Sequence, residues 1–594
     1  MDKYIDADVL VIGGGQAGFF AAMKAAERGV KVVMVDKGYA GKSGQSQNIT
    51  CMICFDPEKN DLQKWMEEGT AADEYLENRD WVKTVYLESK ARWDDMARWG
   101  MKSWRYDKEG NTYLAPINGS DDEHCPGEPT EDRITNYLID NRYHHKLRPL
   151  FKEMGGEIYD RIMITELLRQ NGCIVGAIGF SPESDDTFVF LARAVVLAMG
   201  NAGMKTCGIR TNTTTGDAQA MAYRIGCAVT GKEWADQHGA RGDYPAYPWT
   251  GNDRNPYYPK YEKAHETLAE HLPMYNVYGE KIDNSRKGSK RKHLLPFNAV
   301  AMAYEAHKGR APVFYYVDGD PDTKDINHNP GCIPRDAVDE QASKKGLVRM
   351  SMGRALGQSY HLSDGIWSDG TDCETQIPGL YAAGDCLGAR TGYPMAGFAA
   401  AFTAVSGARA GVNAAKYAQH TPVLAPDADE LQRLKEQLWA PKQRLGGFTP
   451  RWVLQVIQNT MTPYWVLLYK REDRLLAALN TIEFIRDNMV PQLTAADNHD
   501  LRLAHEVRNI VLHLEMKLRA SLFRKESRWY HYREDYPLRD DENWLCWIRI
   551  QEHDGTMELE KVPVPKKWRP DPCLPYAERY PNEFPNEPES LPGG

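Results

Sequence analysis

No apolar run in the 594 residues is long enough to cross a bilayer, and there is no internal repeat and no low-complexity tract. A spanning helix needs about 20 consecutive apolar residues, so no membrane insertion is expected. The start, Met1 to Asp6, lacks the apolar core of a secretory signal, and a cytoplasmic protein is expected. Positive charge is also in short supply. The 73 Lys and Arg face 83 Asp and Glu, a net charge of −10, which argues against nucleic acid as a partner. The 11 cysteines are scattered singly, apart from Cys51-x-x-Cys54. They do not form the closely spaced ligand run of a ferredoxin-type cluster. Reduced, buried thiols are expected, with neither a cluster nor another metal on this chain.

What the chain does have is concentrated in residues 8–38. An apolar strand, Val9–Ile12, runs into Gly13-x-Gly15-x-x-Gly18. A helix of small residues follows, and a second strand, Val32–Val35, ends at Asp36. Gly13 makes the tight turn, Gly15 lets the backbone approach a pyrophosphate, and Gly18 lets helix pack closely on strand. The helix N-terminus presents N–H groups and a positive dipole end to phosphates. Asp36, 18 residues beyond Gly18, is placed to accept hydrogen bonds from a ribose. With its whole strand–turn–helix–strand context present, this unit reads as a dinucleotide site. There is no second G-x-G-x-x-G, so no separate nicotinamide domain is expected.

Further segments resemble those of FAD enzymes, and that resemblance turns the reading from NAD to FAD. Lys37 and the Ser43-Gly44-Gln45 turn lie just past Asp36. Ala198-Met199-Gly200 ends an apolar strand, and Thr215-Gly216-Asp217 follows in the next turn. Leu380 to Cys386 is a short apolar strand that delivers Asp385 directly after Gly384. Around these, residues 60–170 look mostly helical, 173–200 alternate as strands, 240–295 are rich in Tyr, Pro, Trp and Asn, and 426–526 are helical. The expected fold class is α/β. A Rossmann-like FAD-binding domain over 1–240 and 351–420 carries an inserted α+β capping domain over 241–350. A C-terminal helical domain spans 421–540, and an extended arm, 541–594, wraps this subunit or a neighbour.

These motifs carry a resemblance. The chain resembles the flavoprotein subunits of the fumarate reductase/succinate dehydrogenase superfamily, and its C-terminal part is similar to the adenylylsulfate reductase alpha subunit. Outside the fingerprint the match lies in Arg524-Lys525-Glu526-Ser527-Arg528-Trp529, continuing through Arg533, Asp535, Pro537, Arg539 and Asp541 to Asn543-Trp544. Asn276-x-x-Gly279-Glu280-Lys281, and Gly365-Ile366 before Asp369, add to it. The resemblance implies FAD as cofactor, with Asp385 on the ribityl chain, and, as partner, a ferredoxin-type iron–sulfur subunit. It also implies that the Arg524–Trp544 segment and the arm form part of the docking surface.

The departures from the family bear on substrate. Covalent members attach FAD through a histidine in an R-S-H-T segment, and here Lys42-Ser43-Gly44-Gln45 puts Gly44 in its place. FAD is therefore expected to be held non-covalently. The family arginine of an R-D-V-V segment falls at Phe297, the arginine of G-A-N-R at Met395, and a family histidine at Tyr360, with His361 next to it. A dicarboxylate needs cationic, bidentate donors, so an ordinary fumarate reductase is not expected unless Arg390, Arg291 or Arg354 substitutes.

The candidate catalytic residues are His361, Tyr360, His238 and Arg390. His238 closes Glu233-x-x-x-x-His238, a family segment whose histidine touches substrate; it reads equally well as a histidine bonded at a domain seam. His361 and Tyr360 could each donate a proton. Arg390 could face flavin, substrate or merely Glu374, and Trp234 reads better as core packing than as a stacking platform. Cys51 and Cys54 lie near where flavin disulfide reductases keep a redox pair, but packing beside the flavin is the better reading. Three functions are carried forward. The first is an adenylylsulfate reductase-like flavoprotein exchanging electrons between a small-molecule substrate and an iron–sulfur partner. The second is a flavoenzyme reducing or oxidising a C–C bond of an aromatic or less charged compound. The third is a non-catalytic electron-transfer subunit.

Overall fold

The structure is a computed structural model of the chain. It describes residues 1–49, 51–70, 74–101, 114–116, 135–138, 143–206, 213–235, 274–282, 294–310, 313–316, 347–350, 363–391 and 397–588. His238, Tyr360, His361, Met395, Arg291 and Arg354 lie outside the described residues, as does the side chain of Phe297.

The strands Asp2–Ile12 and Val32–Asp36 pair in parallel, as the strand–helix–strand pattern requires. They form the middle of a seven-stranded sheet. Glu157–Asp160 flanks Val32–Asp36 on one side, and Thr187–Leu197 flanks Asp2–Ile12 on the other, both in parallel. The short Leu380–Ala382 strand returns from far along the chain and adds, in parallel, to the Val195–Leu197 end of Thr187–Leu197. The other end of that strand continues into an antiparallel meander with Cys173–Phe180 and Met163–Gln170. Every residue of Val32–Asp36 is buried, as expected for a parallel strand covered on both faces.

Two helices of small residues cover this sheet, Gln16–Ala26 and Phe398–His420. They approach closely enough that a Cβ on Gly407 would sit 2.4 Å from the carbonyl oxygen of Ala17, and one on Gly411 2.1 Å from that of Ala21. Glycine and alanine in these helices are thus a packing requirement, and the Ala-rich Phe398–His420 helix lies over the sheet.

The described parts of residues 241–350 form an antiparallel sheet of Lys281–Ile282, Met274–Tyr275, Val313–Tyr316 and Leu347–Met350, with the helix Leu294–His307. Asn276-x-x-Gly279-Glu280-Lys281 is its hairpin turn. Asn276 Oδ1 accepts from the backbone N–H groups of Tyr278 and Glu280, and its amide donates to Glu280 and Glu305.

The C-terminal helices are Ala428–Gln443, Pro450–Met461, Glu472–Phe484 and Asn498–Phe523. Asp427 and Asp497 cap two of them by accepting backbone N–H groups of the first turn. Asn498–Phe523 has two working faces. Val507, Ile510, Val511, Leu514 and Leu518 pack into the helical domain's core. Glu506, Asn509, His513 and Lys517, spaced three and four apart, form a buried polar stripe toward the FAD domain.

The arm carries a β-hairpin. Cys546–His553 and Thr556–Pro563 pair antiparallel around Asp554-Gly555, both at positive φ, the turn chemistry such hairpins favour. The hairpin extends a sheet through Val229–Thr230 to Gly365–Ile366, which locks the C-terminus onto the FAD domain. Beyond it, Tyr580 and Phe584 are buried, with Phe584 against Tyr532.

Candidate functional site

The glycine fingerprint is a knot of backbone. Gly13 leaves its strand at φ +105°, and a Cβ there would lie 2.2 Å from the carbonyl oxygen of Ala198. A Cβ on Gly18 would lie 1.8 Å from the carbonyl oxygen of Gly13. Gly15 is the N-cap of Gln16–Ala26, with no side-chain cap of its own. Gln16 N–H donates to Ser46 Oγ at 2.9 Å, which pins the Gln45–Asn48 turn over the helix start. Gly44, at φ +76°, precedes that turn with no atom within 4 Å of where a Cβ would be.

Asp36 ends its strand buried, where it joins two loops. Its carboxylate accepts from Gly14 N–H and Gly38 N–H, each at 2.7 Å, and from Ser43 Oγ at 2.8 Å. The second flavin segment arrives through Gly200, whose Cβ would meet Thr214 at 3.1 Å. The third arrives at the same strand ends: Ala383 N–H donates to the Leu197 carbonyl at 2.8 Å. A Cβ on Gly384 would stand 2.8 Å from that of Ala17. Gly13, Gly15, Gly18, Asp36, Ser43, Gly44, Gln45, Ala198, Gly200, Gly384 and Asp385 therefore converge at the carboxyl ends of the parallel strands, where open α/β sheets bind their ligands. Open space at Gly44 and close backbone packing at Gly13 and Gly18 suit a dinucleotide cofactor lying over the turn.

Lys37 and Asp217 take a different place. Lys37 Nζ donates to Asp217 at 2.8 Å and Thr215 Oγ1 at 2.9 Å, and pairs with Glu506 at 2.9 Å. Asn509 donates to Asp217 at 2.8 Å, and Lys205 pairs with Glu506 at 2.8 Å. Burial alone pulls the Lys37 ammonium down, but Asp217 and Glu506 outweigh it and hold its pKa above the ordinary lysine value. Burial likewise pushes both carboxyls up, and the neighbouring lysines more than reverse it, so both sit below the usual range. This network ties the end of the cofactor strand to the helical domain. Asp217 acts on the cofactor strand through Lys37.

A second buried layer surrounds Gly231–Trp234, the approach to His238. Lys232 pairs with Asp364 at 2.7 Å, both fully buried, and reaches Gln219 and His513. Glu233 Oε1 accepts from two nitrogens of Arg524, at 3.0 and 2.9 Å. Lys470 donates to the Glu233 carbonyl at 2.7 Å and meets His531 Nδ1 at 2.8 Å. Trp234 is buried beside Trp529, at 5.7 Å between rings, with Arg524 over its face at 4.9 Å; it is core. Arg390 does not meet Glu374. Its guanidinium lies 3.9 Å from the centre of the Trp367 ring and 5.2 Å from that of Trp547.

The four arginines of the Arg524–Trp544 segment face inward. Arg524, Arg528, Arg533 and Arg539 are all buried. They pair with Glu233 and Glu526, with Glu526 and Asp541, with Asp535, and with Glu74 and Glu587 respectively. Glu74 also accepts the Trp529 N–H. These arginines are an internal clamp between FAD domain, helical domain and arm, while Lys525, Asp535, Glu542 and Asn543 of the same segment are exposed. Cys54 is a buried free thiol, and burial pushes its pKa to about 12, the opposite of a redox thiolate. The side chain of Cys51 lies outside the described residues. Among the described residues no group of three or more His, Cys, Asp or Glu could hold a metal ion, and no helix is long and apolar enough to cross a membrane.

Two family models match: an FAD binding domain over residues 8–236, and the fumarate reductase flavoprotein C-terminal domain over 455–576. The chain is a flavoprotein of the fumarate reductase/succinate dehydrogenase superfamily. It is 26% identical over 563 residues to a chain of fumarate reductase (CoM/CoB) from Methanothermobacter marburgensis, covering 90% of this chain and 95% of that one. It is 24% identical to the fumarate reductase flavoprotein subunit of Mycobacterium tuberculosis, covering 95% and 98%. In fold it resembles adenylylsulfate reductase of Archaeoglobus fulgidus, with a TM-score of 0.71, 22% identity and coverage of 95% and 96%. A TM-score of 0.76 relates it to E. coli quinol fumarate reductase, at 19% identity over 97% of this chain and 99% of that one. As a fumarate reductase-like flavoprotein it uses FAD and is an FAD-dependent oxidoreductase, which sets aside the non-catalytic reading.

Sequence reasoning missed Glu506, Asn509, Lys205, Lys470 and Glu74. Glu506, Asn509, His513 and Lys517 do recur at helical spacing, but Asp500, Arg502, Arg508, Glu515 and Arg519 share that helix and mask the stripe. Glu74 left no signal.

Proposed function

We propose that this flavoprotein exchanges electron pairs with a small substrate beside the flavin and passes single electrons to a separate, ferredoxin-type iron–sulfur protein in the cytoplasm. The observation that carries the reading is the single dinucleotide fingerprint, Gly13-x-Gly15-x-x-Gly18. The chain has no second fingerprint for a nicotinamide nucleotide and no ferredoxin-type run of cysteines, which favours electron exchange through another protein. Relatives that are themselves named as subunits of fumarate reductases fit this. FAD is held without a covalent bond, because Gly44 offers no side chain to attach it. Asp36 and the Gly13–Gly18 turn hold the dinucleotide, and Gly384-Asp385 meets its flavin end. His238, Tyr360 and His361 are the proposed proton donors toward substrate.

The substrate we favour is of the adenylylsulfate/sulfite kind, supported by the likeness of the Arg524–Trp544 segment and by the Archaeoglobus fold relative. The test is anaerobic visible spectroscopy of the oxidised protein with sulfite and AMP. Bleaching of the flavin that requires AMP supports this substrate. An unchanged spectrum, with the flavin still reducible by dithionite, moves the assignment to a second reading: redox chemistry on a C–C bond of a less charged compound. That reading draws on Phe297 and Met395 at the family's arginine positions and on the relatives named as fumarate reductases.

A further inference from the structure

Five arginines are buried among the described residues, and four of them have carboxylate partners within 2.9 Å. The fifth is Arg390. It is 5% exposed, its backbone is left-handed at φ +55°, and its carbonyl accepts the Asn78 N–H. Neither Nε nor Nη1 has a hydrogen-bond partner among the described residues. Asp369 is the acid it feels most, but Asp369 accepts from Trp367 Nε1 at 2.8 Å. Burial lowers the Arg390 pKa only to about 10, so the group is a cation at neutral pH. Two indole faces give it cation–π contact, which solvates a cation but supplies no counter-charge.

A narrow cavity opens beside this guanidinium, with room for about one water-sized group. Its walls include Thr230, Ser363 and Thr391 from the FAD domain and Trp529, Trp547 and Ile548 from the C-terminal part. Glu233 also borders it, but Arg524 already neutralises that carboxylate through two hydrogen bonds. Among the described residues the cavity thus carries a cation with no carboxylate in ion-pair contact, aromatic walls and space for a single atom. We propose that it is a halide site, in which a chloride ion accepts from Arg390 and completes the seam between the FAD domain and the C-terminal hairpin. Ser363 Oγ donates to the Thr391 carbonyl at 2.6 Å, so an ion there would also steady residues 390–391, which lead toward the Phe398–His420 helix. None of the proposed cofactor-binding residues lines the cavity.

The test uses the holoprotein. Crystals soaked in bromide should show an anomalous peak within hydrogen-bond reach of Arg390. In solution, the thermal midpoint in chloride should exceed that in gluconate at equal ionic strength, and Arg390→Gln should abolish the difference. A water molecule in place of the anomalous peak overturns the proposal. So does a chloride dependence that Arg390→Gln leaves intact. The bromide experiment needs only the unmodified protein, so it decides the matter even if the variant fails to fold.

Discussion

Gly18→Ala is the sharpest probe of the cofactor cradle, because the added atom has nowhere to go. Its Cβ would lie 1.8 Å from the Gly13 carbonyl oxygen. Real Cβ atoms essentially never come closer than 3.0 Å to another heavy atom, so helix and turn must separate by about 1.2 Å. The Gly13 oxygen cannot simply swing away, since Gly13 N–H is bonded to the Val35 carbonyl at 2.7 Å and the turn abuts Ala198. Overpacking of this kind costs about 1–3 kcal/mol. Here it falls on the backbone that must meet the pyrophosphate, so a loss of about 10- to 100-fold in FAD affinity is expected. The assay is FAD titration of the apoprotein by flavin fluorescence quenching, with unfolding followed in parallel. Gly29→Ala is the matched control: it also sits at positive φ, +75°, but nothing lies within 4 Å of its Cβ. It should cost about 1 kcal/mol of stability and leave FAD binding unchanged. If Gly18→Ala binds FAD as tightly as Gly29→Ala does, the cradle has been misassigned.

Lys37→Met leaves Asp217 without its paired cation and Glu506 with Lys205 and, at 3.9 Å, Arg502, and removing one partner from a buried network costs about 3–5 kcal/mol. A lower urea midpoint, partly restored in Lys37→Met/Glu506→Gln, is the expected result, and an unchanged midpoint would count against the network as a domain tie. His505 is buried with Nε2 2.9 Å from the Leu438 carbonyl, and burial lowers its pKa to about 4. The unfolded chain takes that proton near the ordinary value of about 6.5, so stability present above it is lost as pH falls, by about 1.4 kcal/mol per unit. His513 and His531, lowered well below the ordinary value chiefly by burial, act in the same direction. Urea unfolding between about pH 6.5 and 5 should show this slope, and His505→Gln should reduce it while His513 and His531 sustain the rest. Cys54 should resist alkylation in the folded protein near neutral pH, and Cys54→Ser should keep the flavin spectrum and its reducibility; rapid labelling would revive the redox-pair reading.

The cofactor turn was legible because its constraints are local. Gly13, Gly15, Gly18 and Asp36 act through backbone within one strand–helix–strand unit, so the spacing of the letters already carries the geometry. Lys37, Asp217 and Glu506 could not be read together, since their contact depends on how a helix near the C-terminus crosses the end of the second strand. The Arg524–Trp544 segment was found, but the internal pairing of its arginines was not read. A run of charges ordinarily faces water, and only the arrival of Glu233, Glu74 and Glu587 from elsewhere in the chain allows these arginines to be buried. The hairpin in the arm was announced by Asp554-Gly555 between alternating strands, a local signal outweighed by the segment's proline and charge.

The account rests on FAD lying over the Gly13–Gly18 turn beside a Gly44 that cannot attach it. The most direct measurement is the visible spectrum of the purified protein, followed by acid precipitation and separation of pellet from supernatant. The account predicts an oxidised flavin spectrum with one FAD per chain, all of it released as free FAD into the supernatant. A protein that binds no flavin, or a flavin that stays with the precipitated chain, would contradict it.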